Sequence, residues 1–595
     1  MNKKIKVFFL LAFFIIFGCR GGGADPSSNA SIPIIEPTPS NMYCQNQYYV
    51  ESYPQIEELS SNELISDGSG IDYFILEEGD SEKPDINYLV TARYTGWLEN
   101  GCVFDSSYTR NSSSVFPLSR VIQGWQLGIN KIGKNGKIFI KIPPDLGYGL
   151  QGAPPRIPGN STLYFYVELE DIQVILTEPD NIRLVIVKII TDQDGLYGVG
   201  CATFTQRPNP VLSAIEDYLK PFLIGTEVNN IEDIWQSSYV SSYWRNGPVL
   251  NNALSGIDQA LWDIKGKMAN LPVYDLLGGK TREAAAVYVH TSGDTEEEVG
   301  DQMQSYIEQG FHHIRVQIST PGYATYGNKS AKTGNQTVNN KDPLVGPIPI
   351  TQRIKNYDDK KLYAHPGGVF EPKPYMKSAI SLFEYIRNRF GYGVEILHDV
   401  HERIPPILGV WFAKEVEKYQ LFFLEDLFSP EDNQYFKMVR NQTSTPIAMG
   451  ELYSSPHEII PMLQDRLIDF IRIHISDIGG ISPARKIAAM GEIMGIRTAW
   501  HGPGDTSPIG HAANLALDIS TYNFGIQEYS IFGENTKEVF PGCPEVKEGM
   551  MWPNSKPGLG IDIDEKLAKK FPFKEREYGG AWDTVRRADG SVVKP

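Results

Sequence analysis

Cysteine is scarce, with five in 595 residues. Cys19, Cys44, Cys102, Cys201 and Cys543 show no paired metal-site spacing, so neither a zinc module nor a disulfide-dense scaffold is implied. Basic charge is short as well: 55 Lys and Arg stand against 72 Asp and Glu, a formal charge of −17. That balance argues against nucleic acid, or a bare anionic membrane surface, as an electrostatic partner. The one long apolar run, Val7 to Phe17, is too short for a permanent transmembrane helix. What remains is ordinary globular material, 41% apolar, and the length predicts three to five units at roughly 100 to 200 residues each.

Asn2-Lys3-Lys4 precedes the apolar run, which ends in Gly18-Cys19. This is the layout of a secretion signal over residues 1–18. Cys directly after a small residue resembles the lipobox of bacterial lipoproteins. The resemblance implies lipid on Cys19 and an exported, membrane-anchored protein on the periplasmic or cell-surface side. Residues 19–67 then form a tether and extension, because 20–41 is rich in Gly, Ser and Pro. An oxidising compartment would permit one bridge, Cys44 with Cys102, although connectivity is not readable from sequence.

Between 68 and 171, the short alternating runs YFILEEG, YLVTARYTG, KIFIKIP and TLYFYVELED surround one helical stretch, VIQGWQLGINKIG. They predict an α+β domain, an antiparallel sheet around one helix. The ordered strings YTGWLENGCVFDSS, VIQGWQLGI, PPDLGYG and RIPGNSTLYFYVEL resemble the FKBP-type prolyl isomerases along the whole segment. By position, the resemblance puts that family's pocket on Tyr94, Phe104, Asp105, Arg110, Phe116, Val121, Ile122, Trp125, Tyr148, Ile157 and Phe165. It implies proline-containing polypeptides as partners. Isomerising an X-Pro bond needs no nucleophile, only relief from a barrier of about 20 kcal/mol set by amide resonance. A dry aromatic pocket favours the twisted amide over the planar one that water solvates better. A module kept only for binding is the alternative.

From 172 onward strands alternate with helices. ALSGIDQALWDIKGK places Leu254, Ile257, Leu261 and Ile264 at helical spacing and predicts one apolar face. Asp399, Glu425 and Glu451 then close three apolar runs at equal intervals of 26 residues (425 − 399 and 451 − 425). That spacing is one βα unit per carboxylate, and in a parallel barrel all strand ends open onto one face. Hard oxygen ligands around one point suit Mg²⁺. On EILHDVHE, Asp399 and His401 are two apart and share a side of the strand. His312, His313 and His398 read as structural. The polar stretch 327–376 predicts a long loop acting as a lid.

The helix with its LLGG end, followed by strands bearing Asp, Glu and Glu, resembles the enolase superfamily. This implies an α+β cap (172–290), a (β/α)₇β TIM-type barrel (291–540), a C-terminal segment (541–595) returning to the cap, and a homo-oligomer through the barrel. The strings GCATFTQR, VYVH, HIRVQ, ATYG, HDVHE, FFLED, MGELY, HGPGD and FGIQEY look like the mannonate dehydratase group. The resemblance implies Asp399, Glu425 and Glu451 as Mg²⁺ ligands and His401 as general acid. It makes Tyr326 the base, with Arg315 stabilising its phenolate, and Tyr323 the nearer rival. His290, Arg472, His501, Asp505 and Glu528 would bind substrate. Thr205, Pro503 and a tail ending SVVKP without Trp resemble a gluconate-tolerant branch. The expected activity is dehydration of D-mannonate or D-gluconate to 2-keto-3-deoxy-gluconate, beside prolyl isomerisation. Two alternatives stand: an epimerase or racemase with His501 as base oriented by Asp477, and a barrel serving as a sugar-acid binding or scaffold module.

Overall fold

The computed structural model describes residues 63–574 other than 80–82, 85–88, 109–113, 134, 170–171, 192, 194, 320–369 and 505, together with 587 and 591–594. Cys19, Cys44, Arg110, Tyr323, Tyr326 and Asp505 therefore lie outside the described residues. Cys102 is disulfide-bonded, while Cys201 and Cys543 are free.

The first unit is an antiparallel sheet. Its strands are β1 (Ile65–Ser66), β2 (Asp72–Glu77), β3 (Leu89–Leu98), β4 (Val103–Ser106), β5 (Ser114–Pro117), β6 (Lys137–Ile142) and β7 (Leu163–Leu169), with α1 (Gln123–Ile129) against β6. The order is β1-β2-β6-β7-β3-β4, with β5 also on β3. On β7, Leu163, Phe165 and Val167 join Trp125 and Ile129 of α1 in one core. Tyr166 enters a second cluster with Trp97, Tyr108 and Phe139, as period-2 alternation requires. Gly96 explains how two rings reach β3: a Cβ there would sit 2.6 Å from the Phe104 ring and 2.7 Å from that of Phe165.

The second unit has a separate core. Strands β8 (Ile172–Thr177), β9 (Leu184–Ile190) and β10 (Tyr197–Cys201) form an antiparallel meander, followed by α2 (Ile231–Val240) and α3 (Pro248–Ala269). The reading of one apolar face on α3 is too narrow, because residues from Asn251 to Ile264 are buried all round. Polar side chains on its other faces bind neighbouring backbone. Gln259 Oε1 accepts from Cys201 N (3.2 Å) and Asp263 Oδ2 from Val199 N (3.0 Å), which satisfies the open edge of β10. Asp263 Oδ1 accepts from Leu559 N (2.7 Å), far along the chain.

Among the described residues, eight parallel strands follow, alternating with seven helices: β11 (Ala285–Gly293), α4 (Glu296–Glu308), β12 (His313–Ile318), α5 (Pro372–Phe390), β13 (Glu395–Asp399), α6 (Pro406–Glu415), β14 (Phe423–Glu425), α7 (Tyr435–Arg440), β15 (Ile447–Met449), α8 (Pro456–Gln464), β16 (Phe470–Ile471), α9 (Ile481–Met494), β17 (Arg497–Thr498), α10 (Pro508–Ser520) and β18 (Gln527–Glu528). Pairing runs from β11 to β17 in order, and β18 returns to β11. Tyr288, Leu397, Phe423, Ala448, Phe470, Ala499 and Ile526 fill the barrel interior.

Two expectations need correction. The predicted boundary at 290/291 cuts β11, whose start pairs with the hairpin strand β20 (Met550–Trp552; its mate is β19, Glu545–Lys547) and whose remainder pairs inside the barrel. The predicted loop to 376 ends earlier, since α5 starts at Pro372; a Pro in the first turn costs no hydrogen bond and marks a helix start. In the C-terminal segment, Phe571 O accepts from Glu178 N (2.7 Å), just past β8.

Candidate functional site

The polar residues of the barrel gather where parallel strands end. His290 lies on β11, Arg315 on β12, Asp399 and Glu425 close β13 and β14, and Glu528 closes β18. Glu451, Arg472 and His501 stand just past β15, β16 and β17.

Two buried guanidiniums organise them. Arg315 Nη1 lies 3.1 Å from Glu425 Oε1, 3.4 Å from Asp399 Oδ2 and 3.7 Å from Glu528 Oε1. Its Nη2 faces His290 Nδ1 at 3.2 Å. Arg472 Nη2 lies 2.7 Å from Glu425 Oε1 and 2.6 Å from Glu528 Oε2, and Nη1 lies 2.7 Å from Glu451 Oε2. Arg472 and Glu528, expected to bind substrate, are fully buried in these pairs rather than open to solvent. His290 Nε2 is likewise engaged, 2.9 Å from Glu528 Oε1.

Negative charge exceeds positive here. Burial pushes Glu425 well above the usual carboxylate range, with Arg472 pulling partly back. Asp426 is pushed up by burial and then by Glu451. For Glu451 burial acts in the same direction, but His501, Arg472 and His401 outweigh it and hold the group below its ordinary value.

Asp399, Glu425 and Asp426 each offer an oxygen within 4.8 Å of the others. Among the described residues, no hydrogen-bond donor reaches Asp399 Oδ1 or either Asp426 oxygen, all three of them buried. Hard, donor-free oxygens on one spot fit a hard divalent cation such as Mg²⁺. Glu451, the expected third member, stands on the far side of Arg472, which holds both it and Glu425. Asp426 was missed because neighbouring strand residues face opposite ways. Its φ of +42° breaks that alternation; the Glu-Asp doublet in FFLED was the signal available.

His401 lies past the end of β13, so strand alternation is not what brings it to the site. His401 and Glu402 both have φ of +52°, a strained pair of non-glycine residues of the kind held at functional loops. His401 Nε2 reaches within 3.7 Å of Glu451 Oε1. His501 Nε2 lies 3.3 Å from Glu451 Oε2. Asp477, expected to orient His501, instead accepts from Asn252 through Oδ1 at 2.5 Å. His474 takes that place, Nδ1 to Nδ1 at 2.7 Å. His398, read as structural, sits between Val316 O (2.8 Å) and the Tyr375 hydroxyl (2.8 Å).

In the first unit the ring residues do meet. Trp125 packs edge-on against Tyr94 (5.1 Å between centroids), Phe116 (5.3 Å) and Phe165 (5.2 Å), and Phe104 meets Phe165 at 5.4 Å. The Tyr94 hydroxyl donates to Asp105 Oδ2 at 2.6 Å. Val121 and Ile122 are half-buried, Ile157 is buried and Tyr148 is 42% exposed. The result is an apolar ring cluster with one polar edge.

Comparison with known proteins agrees with this division. Residues 80–170 match the family described as FKBP-type peptidyl-prolyl cis-trans isomerase. Residues 164–278 match the mandelate racemase / muconate lactonizing enzyme N-terminal domain, and 298–567 the enolase C-terminal domain-like family. The D-galactonate dehydratase family member RspA of Pantoea ananatis is 53% identical over 430 residues, covering 72% of this chain and 99% of that protein. A family member from Salmonella enteritidis is 49% identical over 432 residues, with the same coverage. The crystal structure of an enolase from Pantoea ananatis with bound D-gluconate and Mg is 52% identical, with a TM-score of 0.65 over 72% of this chain and 99% of that one. These relatives correct the expected mannonate dehydratase group. The strand-end strings that suggested it are carboxylates and histidines at barrel strand ends, a pattern that does not by itself separate the two groups. With an FKBP-type domain ahead of an enolase-superfamily cap and barrel, the chain belongs to the D-galactonate dehydratase family.

Proposed function

We propose that the barrel dehydrates a six-carbon sugar acid, D-gluconate being the first candidate, and that the first unit isomerises X-Pro bonds. The observation that carries the barrel reading is the convergence of Asp399, Glu425, Glu451 and His401 around two buried guanidiniums. Mg²⁺ held by Asp399, Glu425 and Glu451 would supply Lewis-acid stabilisation for charge developing on the substrate carboxylate. Tyr326 would take the C2 proton, a task for which a phenol of pKa about 10 needs a nearby cation. Arg315 supports that role. His401 would give its Nε2 proton to the departing 3-hydroxyl. The product would be a 2-keto-3-deoxy acid.

The test is incubation with Mg²⁺ and a panel of six-carbon sugar acids, assaying for 2-keto-3-deoxy products. A keto product from D-gluconate supports the reading. Tight binding of these acids without turnover of any would instead favour a binding module.

The N-terminal pattern supports a lipid on Cys19 and delivery outside the membrane. Labelled palmitate should mark the wild-type protein and leave Cys19→Ala blank; equal labelling would reject the anchor.

A further inference from the structure

The segment 591–594 is docked on the barrel. Val593 is 6% exposed and belongs to the core of the second unit, which sets the next residue down among the strand-end loops. Lys594 Nζ lies 3.8 Å from Glu402 Oε2, 3.3 Å from Glu431 Oε2 and 3.8 Å from Asp432 Oδ2, and it donates to the Ser429 hydroxyl. Those partners stand on two loops: Glu402 follows β13, and the other three follow β14.

The contacts are unequal. The Glu431 side chain is 76% exposed and that of Asp432 31%, so water weakens both pairs. Glu402 is only 11% exposed, and a carboxylate so far out of water needs a cation beside it. Among the described residues, the ion pair that Glu402 makes is with Lys594. The backbone at Glu402 is where such a hold matters. His401 and Glu402 both stand at φ +52°, an arrangement of non-glycine residues that persists only where its surroundings fix it. Two amides help to fix it, Glu402 N donating to Asp426 O (2.8 Å) and Arg403 N to Val400 O (3.4 Å).

We propose that Lys594 is a positioning residue of the barrel site: through Glu402 it ties the loop after β13 to the loop after β14, and so keeps His401 aimed into the mouth. This deepens the dehydratase reading, in which His401 meets the ligand. Without the cation, the Glu402 carboxylate would swing toward water and the strained turn would relax. A displacement of about 1 Å at a reacting group costs about 10²-fold in rate.

Hydrogen–deuterium exchange of the full chain, read by mass spectrometry without substrate, tests the clamp even if no sugar acid is turned over. In Lys594→Met the peptide holding the Glu402 and Arg403 amides should exchange about tenfold faster or more, with β12 unchanged, because only a local opening is released. Lys594→Arg keeps the cation and should restore slow exchange. Since Lys594 acts through Glu402, combining Lys594→Met with Glu402→Gln should open the turn no further than the larger of the two single changes. With an acid that is turned over, kcat should fall about tenfold to a hundredfold in Lys594→Met and stay within about threefold of wild type in Lys594→Arg. A merely structural role would loosen β12 as well. Unaltered exchange at Glu402 and Arg403, equal acceleration in β12, additive single changes, or full kcat with the turn open would each overturn the proposal.

Discussion

The two sites differ in what they are made of. In the FKBP-type unit the residues expected to form the site are core: Trp125, Phe104 and Phe165 are each 4% exposed and pack ring on ring. In the barrel the interior is a plug of Tyr288, Phe423 and Phe470, and the charged mouth sits above it at the strand ends. The chemistry accounts for the contrast. Twisting an amide needs removal of water, which apolar rings provide; removing a proton beside a carboxylate needs fixed charge, which rings cannot provide. A substitution should therefore cost fold and function together in the first unit, and function alone at the barrel mouth.

The largest effect should come from the carboxylates. Glu451→Gln and Asp399→Asn should abolish dehydration and C2 hydrogen exchange with solvent deuterium while prolyl isomerisation continues. Asp426→Asn sharpens the ligand assignment: if Glu451 completes the metal set, this variant should keep most of its activity, and equal loss from both would bring Asp426 into it. His401→Asn should lose about 10² to 10⁴ in dehydration rate, with exchange at C2 surviving. Loss of exchange as well would place His401 in the first step.

Trp125→Ala should break the contrast from the other side. It should cost the first unit about 3 to 5 kcal/mol and eliminate turnover of an X-Pro peptide, whereas Trp125→Phe keeps the fold with reduced turnover. Dehydration should not change in either. Peptide turnover that survives Trp125→Ala would detach the pocket from the core.

The smallest effect is thermal. Glu425 and Asp426 have folded-state pKa values raised by burial, so they hold protons that the unfolded chain releases near pH 4. Without a cation, their burial costs more stability as pH rises through that range. Mg²⁺ has to displace those protons, so its stabilisation should be fuller at pH 8 than at pH 5. A hundredfold excess over Kd is worth about 2.7 kcal/mol, a shift of a few degrees in the barrel transition. Equal shifts at both pH values would count against Glu425 as a ligand.

Much of this was legible because repeats announce themselves. The 26-residue interval places Asp399, Glu425 and Glu451 at the ends of successive strands, and alternation on β7 separates Phe165 from Tyr166 without any structure. What was hidden depends on single backbone angles and on pairs remote in sequence. Asp426 joins Glu425 only through a left-handed turn. His474 meets His501 only because neighbouring strands bring them level. Arg472 reads as a ligand-facing cation until three carboxylates are seen to enclose it. The buried polar face of α3 carries no periodicity signal, since its partners are backbone groups elsewhere in the chain.

That face of α3 also imposes an order of events during synthesis. Asp263 is buried between the amide of Val199 and that of Leu559, so the cap cannot close until the second of these has been made. At 5–20 residues per second, the interval between residues 263 and 559 is about 15 to 60 s. Through that time Asp263 Oδ1 lacks its donor from Leu559, although Oδ2 already accepts from Val199 N and from Lys267 Nζ (2.7 Å), whereas the last strand of the FKBP-type sheet is complete at Leu169.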